Sequence, residues 1–256
     1  MLILLAPSKT MDFNTPLPYA IPEQQPLFID KSTIIAQMLR DMSEDEIATL
    51  MKISPVLVGK VRHMYATWQS KGKKPALYTY VGDVFKGMKA NEMPKASADW
   101  AEEHLLIMSG LYGIVRPFDR ISPYRLEMKA NVEVNGMKNL YDFWGSELAR
   151  YVETHADGIV FNLSSDEYAN VVTRNLSNNI RVIFPVFYDE RPNGVGRAPI
   201  YNKMMRGVVA RWMIDRRAER PEDLKDFSMH GYTYDPSRST PDMPAFYRDK
   251  MTPLIF

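Results

Sequence analysis

Apolar residues along this 256-residue chain fall into short unbroken runs, separated by longer stretches in which they recur at roughly helical spacing. Met1 to Ala6 is wholly apolar and stops at Pro7-Ser8-Lys9-Thr10, which predicts a buried strand delivered into a polar loop. An irregular, Pro-rich stretch follows to about Pro26. Ile29 to Trp68 is helical in character. Within it Ser43 precedes Glu46 by three residues, the spacing of a capping box, and Pro55 suits the first turn of the next helix. Ala76 to Val81 is rich in Tyr and Val, ends at Gly82-Asp83 and reads as a strand. Ser97 is placed to cap a short helix through His104, and Leu105 to Ser109 reads as the next strand. Leu140 to Thr154 has helical spacing, and Ile159 to Leu163 is a strand running into Ser164-Ser165-Asp166. Arg181 to Tyr188 reads as one more strand with Pro199 to Asn202 as a short partner, and Asn202 to Arg217 as a helix.

Apolar strands alternating with helices predict an α/β fold: one compact domain over residues 1–256, built on a mostly parallel or mixed sheet with flanking helices. Its helical subregion is about 29–68. Four strand ends run into polar loops, at residues 7–10, 82–83, 109–113 and 164–168. Ligands in open α/β sheets bind beyond the carboxyl ends of strands, so these loops are expected to converge on one cleft.

Composition removes several chemistries. There is no cysteine, hence no disulfide framework, thiol nucleophile or Cys-ligated metal centre. No apolar run approaches the roughly 20 residues needed to span a bilayer, and MLILLAP lacks the basic segment of a signal peptide, so a cytoplasmic protein is expected. The four histidines, His63, His104, His155 and His230, are scattered without metal-ligand spacing. No HExxH, Gly-x-Ser-x-Gly or dinucleotide fingerprint occurs, and neither a metal site nor a cofactor is called for.

The formal net charge of +1 conceals an uneven distribution. Lys52 to Lys74 carries +6 with no acidic residue, Arg197 to Arg220 carries +5, and the rest of the chain is about −10. If the two basic segments meet they form a footprint for a polyanion; otherwise they are separate solvated faces. On the helix from Asn202, Lys203 and Arg206 fall on one side and Arg211 beside them. Met205, Val208, Val209 and Trp212 occupy the other side, at about 100° per residue. Met51 to Met64 loosely fits a helix-hairpin-helix element, which grips phosphate through backbone N–H groups and adds cations such as Lys60 and Arg62.

The densest segment is Ser109 to Met128, SGLYGIVRPFDRISPYRLEM, where Pro117 and Pro123 stiffen the backbone that carries Arg116, Asp119, Arg125 and Glu127. These charges either face a ligand or pair internally to hold the loop. Ser165 and Glu167 follow a strand and either act on a ligand or cap a helix. Lys9 follows the first strand without the glycines of a P-loop.

Pro7-Ser8-Lys9-Thr10, Gly82-Asp83-Val84, SGLYG with Arg116-Pro117 and Asp119, Pro123 to Met128, and Asn162-Leu163 with Ser165, Glu167 and Tyr168 together resemble the YaaA family of peroxide-stress proteins. Ala6 and Ser8 depart from the Ser-Pro-Ala-Lys-Thr form of its first loop. The resemblance implies a bacterial cytosolic protein that limits unincorporated iron and oxidative damage. It also implies a helix-hairpin-helix element, a positively charged cleft and DNA as partner. On that basis Lys60, Arg62, Lys203, Arg206 and Arg211 are the expected phosphate contacts. An enzymatic role stays open. In that reading Lys9, Arg116, Asp119, Arg125, Glu127, Ser165 and Glu167 would serve a phosphorylated or nucleotide-like small molecule, with Glu167 as acid or base.

Overall fold

β1 (Leu2–Leu5) is buried along its whole length and lies at the centre of the main sheet, as an unbroken apolar run requires when both faces are covered. In this computed structural model, residues 1–70 and 72–250 are described; Lys71, a cation of the first basic segment, lies outside them. Three helices follow: α1 (Ile29–Asp41), α2 (Glu44–Met51) and α3 (Pro55–Ala66). Ser43 and Glu46 form the expected reciprocal cap on α2, with Ser43 N–H donating to Glu46 Oε2 at 2.7 Å. Pro55 opens α3.

The chain continues through β2 (Lys74–Pro75), α4 (Ala76–Thr79), α5 (Asp83–Met88), a 3-10 turn at Ala90–Glu92, α6 (Lys95–His104), β3 (Leu105–Ser109), β4 (Gly113–Val115) and β5 (Arg120–Ile121). Then come α7 (Leu140–His155), β6 (Ile159–Leu163), α8 (Asp166–Thr173), β7 (Arg181–Ile183), β8 (Val186–Asp189) and α9 (Pro199–Arg216). A second 3-10 turn at Pro221–Asp226 leads to β9 (Ser228–Met229), β10 (Tyr232–Tyr234) and β11 (Ala245–Arg248). The main sheet runs β4-β3-β1-β6-β7. Its strands β3, β1, β6 and β7 are parallel, with Ile3 opposite both Leu105 and Phe161, and β4 adds an antiparallel edge. A smaller sheet, β8-β11-β10-β9, is joined to the first by one continuous apolar core from Met1 to Phe246. The architecture is a compact mixed α/β domain with flanking helices.

Several local expectations are corrected. Residues 76–81 form α4 and a single bridge from Tyr80 to Met11 rather than a strand. All four residues of α4 are buried, so neither helical nor strand periodicity is visible, and the N–H groups of Ala76 and Leu77 bond to Asp119 and Pro117 carbonyls. Ser97 is not a cap but lies in the first turn of α6, its N–H bonded to Pro94 O. Residues 181–188 are two strands in different sheets. The break is at Phe184-Pro185, where Phe184 N–H turns to Asp242 O and the proline has no N–H to give. Residues 199–202 are the first turn of α9, with Pro199 in the position that suits its missing N–H.

One helix contact fixes the wall of the cleft described below. α5 and α9 cross with backbone against backbone. A Cβ on Gly207 would lie 1.7 Å from Val84 O, and one on Gly87 would lie 2.1 Å from Met204 O. Glycine at both positions is what lets the two helices touch.

Candidate functional site

Beyond the carboxyl ends of β1 and β6 lies a cleft of about 450 Å3. Its walls come from the loop after β1 (Ala6 to Thr10), the start of α5 (Gly82 to Phe85), the segment Tyr124 to Glu127 with Lys129, the start of α8 (Ser165, Glu167, Tyr168), and Lys203 and Arg206 of α9. Three of the four expected strand-end loops therefore line one site. The fourth, at 109–113, lies behind it: Ser109 Oγ donates to Tyr124 OH at 2.8 Å. Gly82 packs closely on the first loop: a Cβ there would lie 2.4 Å from Ser8 Oγ and would push that side chain aside.

Residues 121–130 contain no helix, and from Tyr124 to Lys129 their burial alternates. Tyr124, Leu126 and Met128 are buried, while Arg125, Glu127 and Lys129 point outward. Glu127 is bridged to Lys9 and lies 3.2 Å from the Lys129 ammonium, which also reaches Glu167 at 3.4 Å. Burial alone would raise the Glu127 carboxyl, but the bonds from Lys9 and Lys129 outweigh it and hold the group below its ordinary value. The cleft thus carries a Lys9–Glu127–Lys129–Glu167 ladder of alternating charge. Lys129 was missed by the sequence reading; the two-residue spacing of Arg125, Glu127 and Lys129 is the signal that marks it.

Beneath this ladder, hydroxyls are paired in series. Tyr80 OH and Tyr124 OH are 2.8 Å apart, and Ser109 Oγ, besides meeting Tyr124, accepts from Tyr112 N–H at 3.0 Å. Burial pushes the Tyr124 hydroxyl up to about 12, so it remains protonated and available as a donor.

Arg125, Lys203 and Arg206 are different. Among the described residues their side chains make no hydrogen bond or ion pair, and Arg206 is half-buried. Burial pulls the Arg206 guanidinium below its ordinary value, and Asp166 offsets this only through space.

The other predicted site residues lie elsewhere. Asp119 is fully buried; it accepts from Arg116 N–H at 2.8 Å, Arg116 Nη2 at 2.8 Å and Gln24 Nε2 at 2.8 Å. Neither Arg116 nor Asp119 lines the cleft, and their pairing holds the loop between β4 and β5. Arg211 bonds to Asp215 and to the carbonyls of Met88 and Lys89, closing the end of α5. Arg62 pairs with Glu44 at 3.4 Å, and Lys60 is exposed on α3; neither lines the cleft. In the linker between α2 and α3, the N–H groups of Lys52 and Ile53 are both spent on Ala48 O. Among the described residues no group of three or more His, Asp or Glu is placed to hold a metal ion, and no helix is long and apolar enough to cross a membrane.

A family model described as peroxide stress protein YaaA matches residues 1–238. The chain is 38% identical to a UPF0246 protein of Verminephrobacter eiseniae, over 97% of this chain and 98% of that one. It is also 38% identical to a UPF0246 protein of Bordetella petrii, covering 97% and 99%. A UPF0246 protein of Laribacter hongkongensis is 35% identical, covering 97% and 100%.

Proposed function

The chain belongs to the peroxide stress protein YaaA family, and from that premise we propose that it serves peroxide defence by binding DNA, mainly through phosphate contacts. The observation that carries this reading is the set of cations at the cleft that no carboxylate contacts directly. Lys203 and Arg206 come from the second basic segment and stand in the same cleft as Arg125, while Asp83 faces Lys86 at 3.8 Å and both glutamates are paired. Unpaired cations of this kind attract a polyanion and contact its phosphates without reading base sequence. Lys60 and Arg62, exposed on α3 and outside the cleft, with Arg62 paired to Glu44, are proposed as secondary phosphate contacts. Arg211 contributes field rather than contact, because its guanidinium is committed to α5. We also propose, beside DNA binding, a part in limiting intracellular free iron and oxidative damage, as the family's peroxide-stress role suggests.

Titration of a fluorescent duplex at increasing salt tests the proposal. Affinity falls steeply with salt if phosphate contacts dominate; absent binding, or binding that salt does not weaken, refutes it.

A second reading has its own support. Glu127 and Glu167 line the same concave cleft as the cations, a grouping suited to acid–base work on a small phosphorylated substrate. A hydrolytic or group-transfer activity abolished by Glu167→Gln, with binding retained, would establish it.

A further inference from the structure

We infer that the α9 wall of the cleft is a phosphomonoester subsite, in which Arg206, Lys203 and Arg125 hold the terminal phosphate of a nucleotide-sized ligand. This rests on the phosphate-recognition reading above and narrows it from a backbone to a terminal phosphate.

Charge is the first argument. The cleft presents Lys9, Arg125, Lys129, Lys203 and Arg206 against Asp83, Glu127 and Glu167. The Lys9–Glu127–Lys129–Glu167 ladder is internally neutral. What remains is three cations, with Asp83 already facing Lys86 and Asp166 acting on Arg206 through space without contact, a surplus of about +2. A phosphomonoester near pH 7 carries about −1.5 to −2, which matches that surplus better than the single charge of a backbone diester.

Placement is the second. Arg206 is half-buried, with no ion pair or hydrogen bond among the described residues. Taking a guanidinium out of water without a partner is costly, and an anion in the cleft would recover that cost. The Gly87/Gly207 crossing holds α9 rigidly against α5, so Arg206 has a fixed backbone beside the start of α5. An arginine in a fixed position presents the planar fork that binds phosphate oxygens in pairs.

Size is the third. A cleft of about 450 Å3 falls in the range of small-ligand sites and lies at the strand ends, where α/β sheets bind nucleotides.

The terminal phosphate could belong to a free mononucleotide or to the phosphorylated end of a DNA strand. Calorimetric titration of the full chain separates these, using 5′-AMP, adenosine, inorganic phosphate, and one oligonucleotide with either a 5′-phosphate or a 5′-hydroxyl. The expected result is that AMP binds at least about tenfold more tightly than adenosine, as charge-assisted bonds to the phosphate require. Arg206→Ala removes that preference. Arg206→Lys, which keeps the charge but loses the fork, weakens it by a smaller factor, and Lys95→Ala, at an exposed cation outside the cleft, leaves it unchanged. If Arg206→Ala does not fold, as judged by its melting curve, Arg206→Lys carries the test alone. A preference for the phosphorylated oligonucleotide without AMP binding assigns the site to strand ends; AMP binding without that preference assigns it to free nucleotide. Equal affinity for AMP and adenosine together with no preference between the two oligonucleotides overturns the subsite, as does an undiminished phosphate preference in Arg206→Lys. Loss of duplex binding with AMP binding intact would refute the DNA reading while leaving the subsite standing.

Discussion

Replacing Gly207 with alanine puts a methyl group where the structure has no room for one. Gly207 lies inside α9, and by helix propensity alone alanine would be favoured there by about 1 kcal/mol. The added Cβ, however, would lie 1.7 Å from Val84 O, 2.8 Å from Val84 C and 2.9 Å from Met88 N. Normal contact needs about 3.5 Å, so α5 and α9 must separate by well over an ångström, and every obstructing atom is backbone. Overpacking a core costs about 1–3 kcal/mol where side chains can adjust; here they cannot, which places the cost near about 3 kcal/mol. The net expectation is destabilisation by about 2 kcal/mol, or a melting temperature lowered by about 4–8 °C for a chain of this size. Gly59 supplies the control. It sits in α3, exposed, and a Cβ there meets nothing within 4 Å, so Gly59→Ala should raise stability by about 0.5–1 kcal/mol. Thermal melts of both variants decide the matter. A Gly207→Ala protein as stable as the parent, or shifted in the same direction as Gly59→Ala, would refute the close-crossing account of how Arg206 is held.

Other outcomes follow from named groups. Asp119→Ala removes the main acceptor of the Arg116 guanidinium and one of the two acceptors of Gln24 Nε2, leaving Glu102 and Gln25 O, and should cost about 3 kcal/mol in denaturant unfolding, while nucleotide and DNA affinity of the folded protein stay unchanged because the pair is outside the cleft. Tyr124→Phe removes the hydroxyl that meets Tyr80 OH and accepts from Ser109 Oγ, which keeps only Tyr112 N–H, and should cost about 1–3 kcal/mol by the same assay. The Thr15 hydroxyl, followed by the N–H groups of Asn14 and Thr15, holds the Asp12 carboxyl at about 2 against an ordinary 3.8. A lowered carboxyl stabilises the fold above its unfolded value and loses that contribution as pH falls through the folded one. Urea midpoints of the parent should therefore drop between pH of about 4 and 2, more steeply than those of Asp12→Asn.

Much of this molecule is legible in its residues because local chemistry and tertiary context agree. The Met1 to Ala6 run, the Ser43/Glu46 box, Pro55 and the strand at 159–163 mark their elements directly. The convergence of the loops at residues 7–10 and 164–168 follows from strand ends; residues 82–83 join them although a buried helix and not a strand precedes them. Residues 76–79 mislead because α4 is buried on every side, so no face is left to show a period. Residues 181–188 mislead because two strands of different sheets abut at Phe184-Pro185, with no polar loop between them. Arg116 and Asp119 carry the same charges as Arg125 and Glu127 but pair with each other inside the loop. Only the three-dimensional path of the loop tells the pairs apart. The merging of Lys203 and Arg206 with the Lys9 cleft is likewise invisible in sequence, since it depends on two glycines about 120 residues apart meeting across a helix crossing.

The central claim is that Lys203 and Arg206 contact phosphate from within the strand-end cleft. Its most direct test is the slope of log affinity against log salt for one DNA duplex, measured for the parent chain and for the Lys203→Ala/Arg206→Ala double variant. Each phosphate contact contributes about 0.9 to that slope, so the double variant should bind more weakly with a slope shallower by about 2. An unchanged slope, with the variant folded and binding as the parent does, would place the phosphate contacts elsewhere and contradict the account.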